Sequence, residues 1–210
     1  MLQSSPVSEQ SAWDVGYQSC GRKYGGAPPD LPVLFPGARV LEAGCGDGKS
    51  LLAMAGRGWD IVAMDFSREA IRISSGHHAL HDVMFIKADA ETMPLISETF
   101  DAVFLSHLLG HIPLKGRTRV AAESERVLIP GGVLFLRVFS VRDFREGRGS
   151  LVEPHTYRRG DGILTHYFSG EEVESLFPRL TCTELKTVEW SMKVKGELLI
   201  RSEIEAEFRK

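Results

Sequence analysis

VLEAGCGDGK, Val40 to Lys49, decides how the rest of the chain is read: a short apolar run, an acid at Glu42, then glycines at 44, 46 and 48. Glycines at alternate positions behind a strand and ahead of a helix are how an α/β protein brings backbone N–H groups close to a small ligand. A dinucleotide fingerprint requires GxGxxG. Here the spacing is GxGxG, and Lys49 stands where the third dinucleotide glycine belongs. That weighs against a nicotinamide-dependent dehydrogenase.

Working outward, the rhythm is regular. ARVLEA reads as a buried strand and GKSLLAMAGRG as a helix that ends at glycines. WDIVAMD is a second strand, and SREAIRISSGHHALH a helix capped by Ser67. VMFIKAD, FDAVFLSH and GGVLFLRVFS supply three more strands, with GRTRVAAESERVLI as the helix before the last of them. Short apolar strands alternating with amphipathic helices imply a mostly parallel sheet covered on both faces. After Ser140 the pattern changes. Residues 141–168 are polar and show no period, SGEEVESLF reads as a short capped helix, and the chain ends in two strands joined by a short turn, hence an antiparallel hairpin. In the last strand Leu198, Ile200, Ile204 and Phe208 share one face, with Arg201, Glu203, Glu205 and Glu207 on the other.

A length of 210 residues is most economically one domain. It divides into an N-terminal segment (1–30), a core (39–140), an insertion (141–168) and a C-terminal helix and hairpin (169–210). The first dozen residues are polar and expected to be mobile. With 25 basic and 28 acidic residues, net −3, the chain offers no overall electrostatic case for nucleic acid or a membrane surface. Three scattered cysteines without a CxxC argue against a disulfide framework and a zinc site, so no metal is expected and a reducing cytoplasm is the simplest setting. The N-terminus lacks a basic, apolar leader, and no apolar run is long enough for a membrane span.

Two further acids close strands. Asp65 ends IVAMD, where a carboxylate is suited to both hydroxyls of a ribose. Asp89 ends VMFIKAD, where it can accept from an adenine amino group while the Ala90 N–H donates to the ring. Glu42, behind the first strand, suits a ligand with positive charge, such as an α-amino group or a sulfonium.

VLEAGCGDG, IVAMD, ADAETMPL, FDAVFLSHLLGHI and RVLIPGGVLFL, in this order across Arg39 to Ser140, resemble the successive motifs of the class I S-adenosylmethionine (SAM) dependent methyltransferases. The resemblance implies a Rossmann-like three-layer sandwich with a seven-stranded sheet whose last strand is antiparallel. It implies SAM as cofactor and S-adenosylhomocysteine (SAH) as product. Carried over by position, Gly44, Gly46 and Gly48, with Cys45 in the same turn, flank the methionine portion, and Glu42 lies near its amino group. Asp65, followed by Phe66, holds the ribose, Asp89 with Ala90 reads the adenine, and Ser106 and His107 touch the methionine part.

Methyl transfer from a sulfonium is an in-line displacement in which the protein chiefly aligns the partners, so a base is optional. His107 and His111 in SHLLGHIP are the candidates for one. Tyr17 and Arg22 belong to a segment, Trp13 to Tyr24, expected to fold over the cofactor, with Arg22 pairing to its carboxylate. Between Arg137 and Gly160 six arginines stand against three acids. From that excess Arg158 and Arg159, with Tyr157 and His111, are the expected contacts for an anionic acceptor. The leading expectation is a small-molecule methyltransferase, monomeric or homodimeric. Two alternatives stay open. RRGDGILTHYFSGEEVESLF resembles the lid and helix of tRNA methyltransferases that act on a modified wobble uridine, and some folds of this kind serve as non-catalytic cofactor-binding partner subunits.

Overall fold

The computed structural model describes residues 9–21 and 31–210. Seven strands form the main sheet in the order β3-β2-β1-β4-β5-β10-β9: β1 (Arg39–Ala43), β2 (Asp60–Asp65), β3 (Met84–Lys87), β4 (Phe100–Ser106), β5 (Leu128–Phe139), β9 (Thr181–Val194) and β10 (Glu197–Arg209). Strand β10 lies antiparallel between β5 and β9, and the other pairings are parallel. The helices are α1 (Glu9–Cys20), α2 (Lys49–Met54), α3 (Arg68–Ser75), α4 (Leu114–Val127) and α5 (Gly170–Ser175). This is the mostly parallel, covered sheet expected from the alternation of strands and helices, and the three-layer, Rossmann-like arrangement that the resemblance implied.

Period-2 alternation divides the sheet's side chains between two cores. Leu41 of β1, Val103 and Leu105 of β4, Leu134 and Leu136 of β5, and Ile204 and Phe208 of β10 are buried together with Val120 of α4 and Val173 of α5. On the opposite face Val40, Ala63, Ala102 and Phe104 pack with Leu51 and Met54 of α2. Ser67 caps α3 as expected, its hydroxyl accepting from the Ala70 N–H at 3.1 Å. The β9–β10 hairpin turns on Lys195 and Gly196, both at positive φ (49° and 91°), the geometry of a two-residue turn that matches strand twist. Leu198 and Ile200 lie beyond the stretch of β10 that pairs with β5 and stay exposed, whereas Ile204 and Phe208 are buried.

Two expectations are corrected. Helix α1 begins at Glu9, inside the polar stretch expected to be mobile, because Ala12, Trp13 and Tyr17 form an apolar stripe that packs on Ala70 and Ile163. The insertion is ordered as a small antiparallel sheet of β6 (Ser150–Glu153), β7 (Thr156–Arg158) and β8 (Leu164–His166). Its strands are too short to show a period. Their inward residues include Thr156, Thr165 and His166, which count as polar in any hydropathy pattern.

Candidate active site

The carboxyl ends of β1, β2, β4 and β5, together with α1 and the hairpin, enclose a cleft of roughly 1420 Å³. That exceeds the 300–1,000 Å³ typical of one drug-sized ligand, so it has room for two. Glu42, Gly44, Cys45, Gly46, Asp65, Phe66, Asp89, Ala90, Ser106, His107, His111 and Tyr17 line it together.

The glycine turn is held against β2. The Gly44 and Cys45 N–H groups donate to the Met64 carbonyl at 2.7 and 3.0 Å, and the Gly46 N–H donates to Asp65 Oδ2 at 2.9 Å. Asp65 Oδ1 accepts from the Ser67 N–H at 2.8 Å. This carboxylate therefore ties the first two strand ends together while each oxygen keeps a second lone pair. Burial pushes its pKa up to about 6, against the lowering effect of those backbone donors. Gly48 does not line the cleft: as the residue before α2 it adopts φ 83°, and a Cβ there would meet Leu80 and Ser74. Burial pushes the Cys45 thiol well above its usual range, which suits a filler of the turn.

Glu42 is 1% exposed, near Ser106 and Ser50, and its Oε2 is buried with no hydrogen-bond partner. Burial pushes its pKa up to about 8. A buried carboxyl oxygen with no partner, on a residue that lines a cleft, is suited to a cationic donor. The α-amino group of a bound SAM fits that demand, and Asp65 and Asp89 supply acceptors at the two strand ends beyond it.

His107 follows β4 at φ 60°, an unusual backbone for a non-glycine residue, held by its N–H donating to the Arg137 carbonyl at 2.7 Å. Its ring stacks on Phe139 at 4.5 Å, its Nε2 lies 3.6 Å from Glu203 Oε1, and its Nδ1 is buried without a partner. Desolvation, then the positive charge of Arg137, holds its pKa well below the usual imidazole value, so the ring is neutral near pH 7. The His111 Nδ1–H donates to the Leu164 carbonyl at 2.6 Å and the ring meets Trp13 edge-on at 4.9 Å, which ties it to the insertion and α1.

Helix α1 leans over the cleft, Trp13 and Tyr17 forming part of its wall. Arg22 and Tyr24 lie outside the described residues. Arg158, Arg159 and Tyr157 are absent from the cleft lining. Arg158 donates to the Gly162 carbonyl and to Glu9 of α1 (2.7 and 3.1 Å), Tyr157 donates to Glu146 at 2.9 Å, and the Arg159 backbone closes a turn with Gly162 and Ile163. The local arginine excess is met by acids distant in sequence: Arg137 pairs with Glu203 and Glu205, and Arg142 with Glu189. Sequence reasoning missed Arg145, Phe139 and Glu203 as cleft residues. The signal for Glu203 was its place on the charged face of β10, which reads as a solvent face until the sheet order is known.

The family model described as a methyltransferase domain matches residues 41–136, from β1 to β5. The demethylmenaquinone methyltransferase of Renibacterium salmoninarum is 37% identical over 111 residues, 53% of this chain and 45% of that protein. The tRNA N(3)-cytidine methyltransferase METTL2 of Gallus gallus is 29% identical over 166 residues, 71% of this chain and 44% of that protein. The chain thus spans less than half the length of either relative. A solved SAM-dependent methyltransferase from Methanosarcina mazei superposes with a TM-score of 0.69 at 22% identity, over 84% of this chain and 94% of that one, a likeness of fold.

Proposed function

We propose, from the premise that the chain belongs to the class I SAM-dependent methyltransferase family, that it transfers a methyl group from SAM to a small-molecule acceptor. One observation carries the reading: the partnerless Oε2 of Glu42 faces the same cleft as Asp65, Asp89 and His107. When bound, SAM supplies a methyl group activated by its sulfonium. The ionised Glu42 meets the cofactor's amino group, Asp65 accepts from its ribose, and Asp89 with Ala90 meets the adenine edge. Trp13 and Tyr17 limit the access of water. Neutral His107, which lines the cleft beside Glu203, is the candidate to take the acceptor's proton.

Calorimetric titration of SAM, SAH and NAD, beside an Asp65→Ala control, tests this. Micromolar binding of SAM and SAH, lost in the control, is the expected result. Binding of NAD alone, or of nothing, overturns the assignment.

The METTL2 match supports a tRNA acceptor as a second reading. Against it, the wall formed by β9 and β10 mixes signs, with Glu184 and Glu205 paired to Lys186 and Glu207 beside them, and so offers no basic track for a polyanion. Transfer of labelled methyl into total tRNA, suppressed by salt, would select the second reading. Three unpaired cysteines support a reducing cytoplasm as the setting. Among the described residues no helix is long and apolar enough to cross a membrane.

A further inference from the structure

Asp143, Arg145 and Arg201 form a cluster that the reading above does not use. The Asp143 carboxylate has no exposed surface and is saturated. Its Oδ1 accepts from the Arg145 N–H and Nε–H at 3.0 and 2.9 Å, and its Oδ2 from Arg201 Nε–H and the Ser202 N–H at 2.7 and 3.2 Å. Two guanidiniums share one carboxylate, which leaves one positive charge uncompensated within the cluster. Arg145 Nη2 is buried and has no partner, although Arg145 and Arg201 both line the cleft. An unmet charged donor on a side chain that lines a cleft calls for an anion.

The surroundings narrow the anion. Glu203 and Glu205 on the same wall are already paired with Arg137, so the one uncompensated positive charge of the cluster matches a single negative charge and not a dianion such as a phosphate monoester. The Arg145 guanidinium lies 4.1 Å over the Phe139 ring, and Arg201 lies 5.3 Å from the Trp190 ring, so the donors are set among aromatic faces. Phe139 also carries the stacked His107, which places the unmet donor one ring away from the position that follows β4. Resting on the methyltransferase reading, we infer that Arg145, braced by Asp143 and Arg201, is the subsite for a carboxylate on an aromatic or apolar methyl acceptor.

The test uses benzoate and benzamide as probes, titrated by ligand-observed NMR into the full-length protein with and without saturating SAH. Benzoate binds at least about fivefold more tightly than benzamide, and Arg145→Gln removes that preference while SAH affinity stays near wild type; the thermal midpoint falls, because buried Asp143 loses one of its two guanidinium partners. Equal binding of the two probes, or an unchanged preference in Arg145→Gln, overturns the inference. So does loss of SAH affinity in a folded Arg145→Gln protein, which would assign the guanidinium to the cofactor's own carboxylate. If that variant does not fold, the comparison of the two probes in the wild-type protein decides. Benzoate preference without any SAH binding would sustain the subsite and defeat the methyltransferase reading.

Discussion

The Tyr17 hydroxyl stands 2.8 Å from the point that a Cβ on Gly46 would occupy, so helix α1 and the turn after β1 are fitted to each other by the absence of one methyl group. Gly46 also adopts φ 53°, a conformation that costs an L residue roughly 1–2 kcal/mol. Gly46→Ala therefore strains the turn and pushes α1 off the cleft, and SAH affinity falls about tenfold in calorimetry. Gly48→Ala is the control. Its backbone is equally left-handed, but the new methyl meets Leu80 and Ser74, away from the cleft. It lowers the thermal midpoint and leaves SAH affinity within about twofold. Equal losses of affinity in the two variants would refute the fit between α1 and the turn.

Glu42 links ligand binding to pH. In the empty protein its pKa is about 8 against an ordinary value of 4.5, so the folded state keeps a proton that the unfolded chain releases. Stability from this group is fullest at low pH and falls as pH rises from 4.5 to about 8. Binding a cationic amino group favours the carboxylate and releases the proton. SAH affinity accordingly rises between about pH 6 and 7.5, by at most about tenfold per unit. Glu42→Gln flattens that profile, weakens SAH, and raises the thermal midpoint of the empty protein at pH 8. A profile unchanged in Glu42→Gln would exclude this carboxylate as the linked group; Asp65, which titrates near 6, is the remaining candidate at the acid end.

Much of this was legible in the sequence, for physical reasons that differ by region. The glycine turn, Asp65 and Asp89 lie at strand ends whose apolar runs are unambiguous, and position on a parallel sheet then gives direction: carboxyl ends gather into one cleft. The Ser67 cap and the hairpin turn at Lys195–Gly196 are local chemistry and need no tertiary information. The arginines could be read either as anion contacts or as a salt-bridged loop, because a charge count along the chain ignores partners on other elements. Arg158 is spent on Glu9 across 149 positions, whereas Arg145 shares its acid with Arg201. Glu203 was placed only on the charged face of its strand, because the position of β10 between β5 and β9 follows from the sheet order, which no local pattern encodes.

Helix α1 is tied down at two points of unequal strength. Near its middle Asp14 Oδ1 accepts from the Ser67 hydroxyl at 2.5 Å, and Ser67 also caps α3. At its start Glu9 meets Arg158, a pair in which both side chains remain partly exposed. An ion pair of the second kind contributes about 0–1 kcal/mol, whereas losing the partner of a buried capping hydroxyl costs about 1–2 kcal/mol. Asp14→Ala therefore weakens SAH binding by about five- to tenfold, and Arg158→Gln by about twofold or less. Amide hydrogen exchange across residues 9–20 speeds up more in Asp14→Ala. The reverse ranking would mean that Arg158 acts on a ligand directly, as the sequence alone had indicated.

Arg117 is the largest of the fully buried side chains and joins three elements. From α4 it donates to Glu153 at the end of β6 (2.9 Å) and to Glu172 of α5 (3.3 Å), and it lies 5.7 Å from the Phe168 ring. Glu172 in turn pairs with His166, whose Nδ1 meets the Thr156 hydroxyl. Breaking a buried ion pair by removing one partner costs about 3–5 kcal/mol when the other is stranded. Here Glu153 and Glu172 keep 28% and 29% exposure and can turn to water. The expected cost of Arg117→Met is therefore nearer 2–3 kcal/mol, a fall of about 5–10 °C in the thermal midpoint. Adding Glu172→Gln removes one of the stranded charges, so the double variant is more stable than the sum of the two single losses predicts. Strict additivity would mean that α4 and α5 are held by their apolar contacts alone. Loss of SAH affinity in Arg117→Met would connect the small sheet to the cleft through His111, whose ring is bonded to the Leu164 carbonyl of β8.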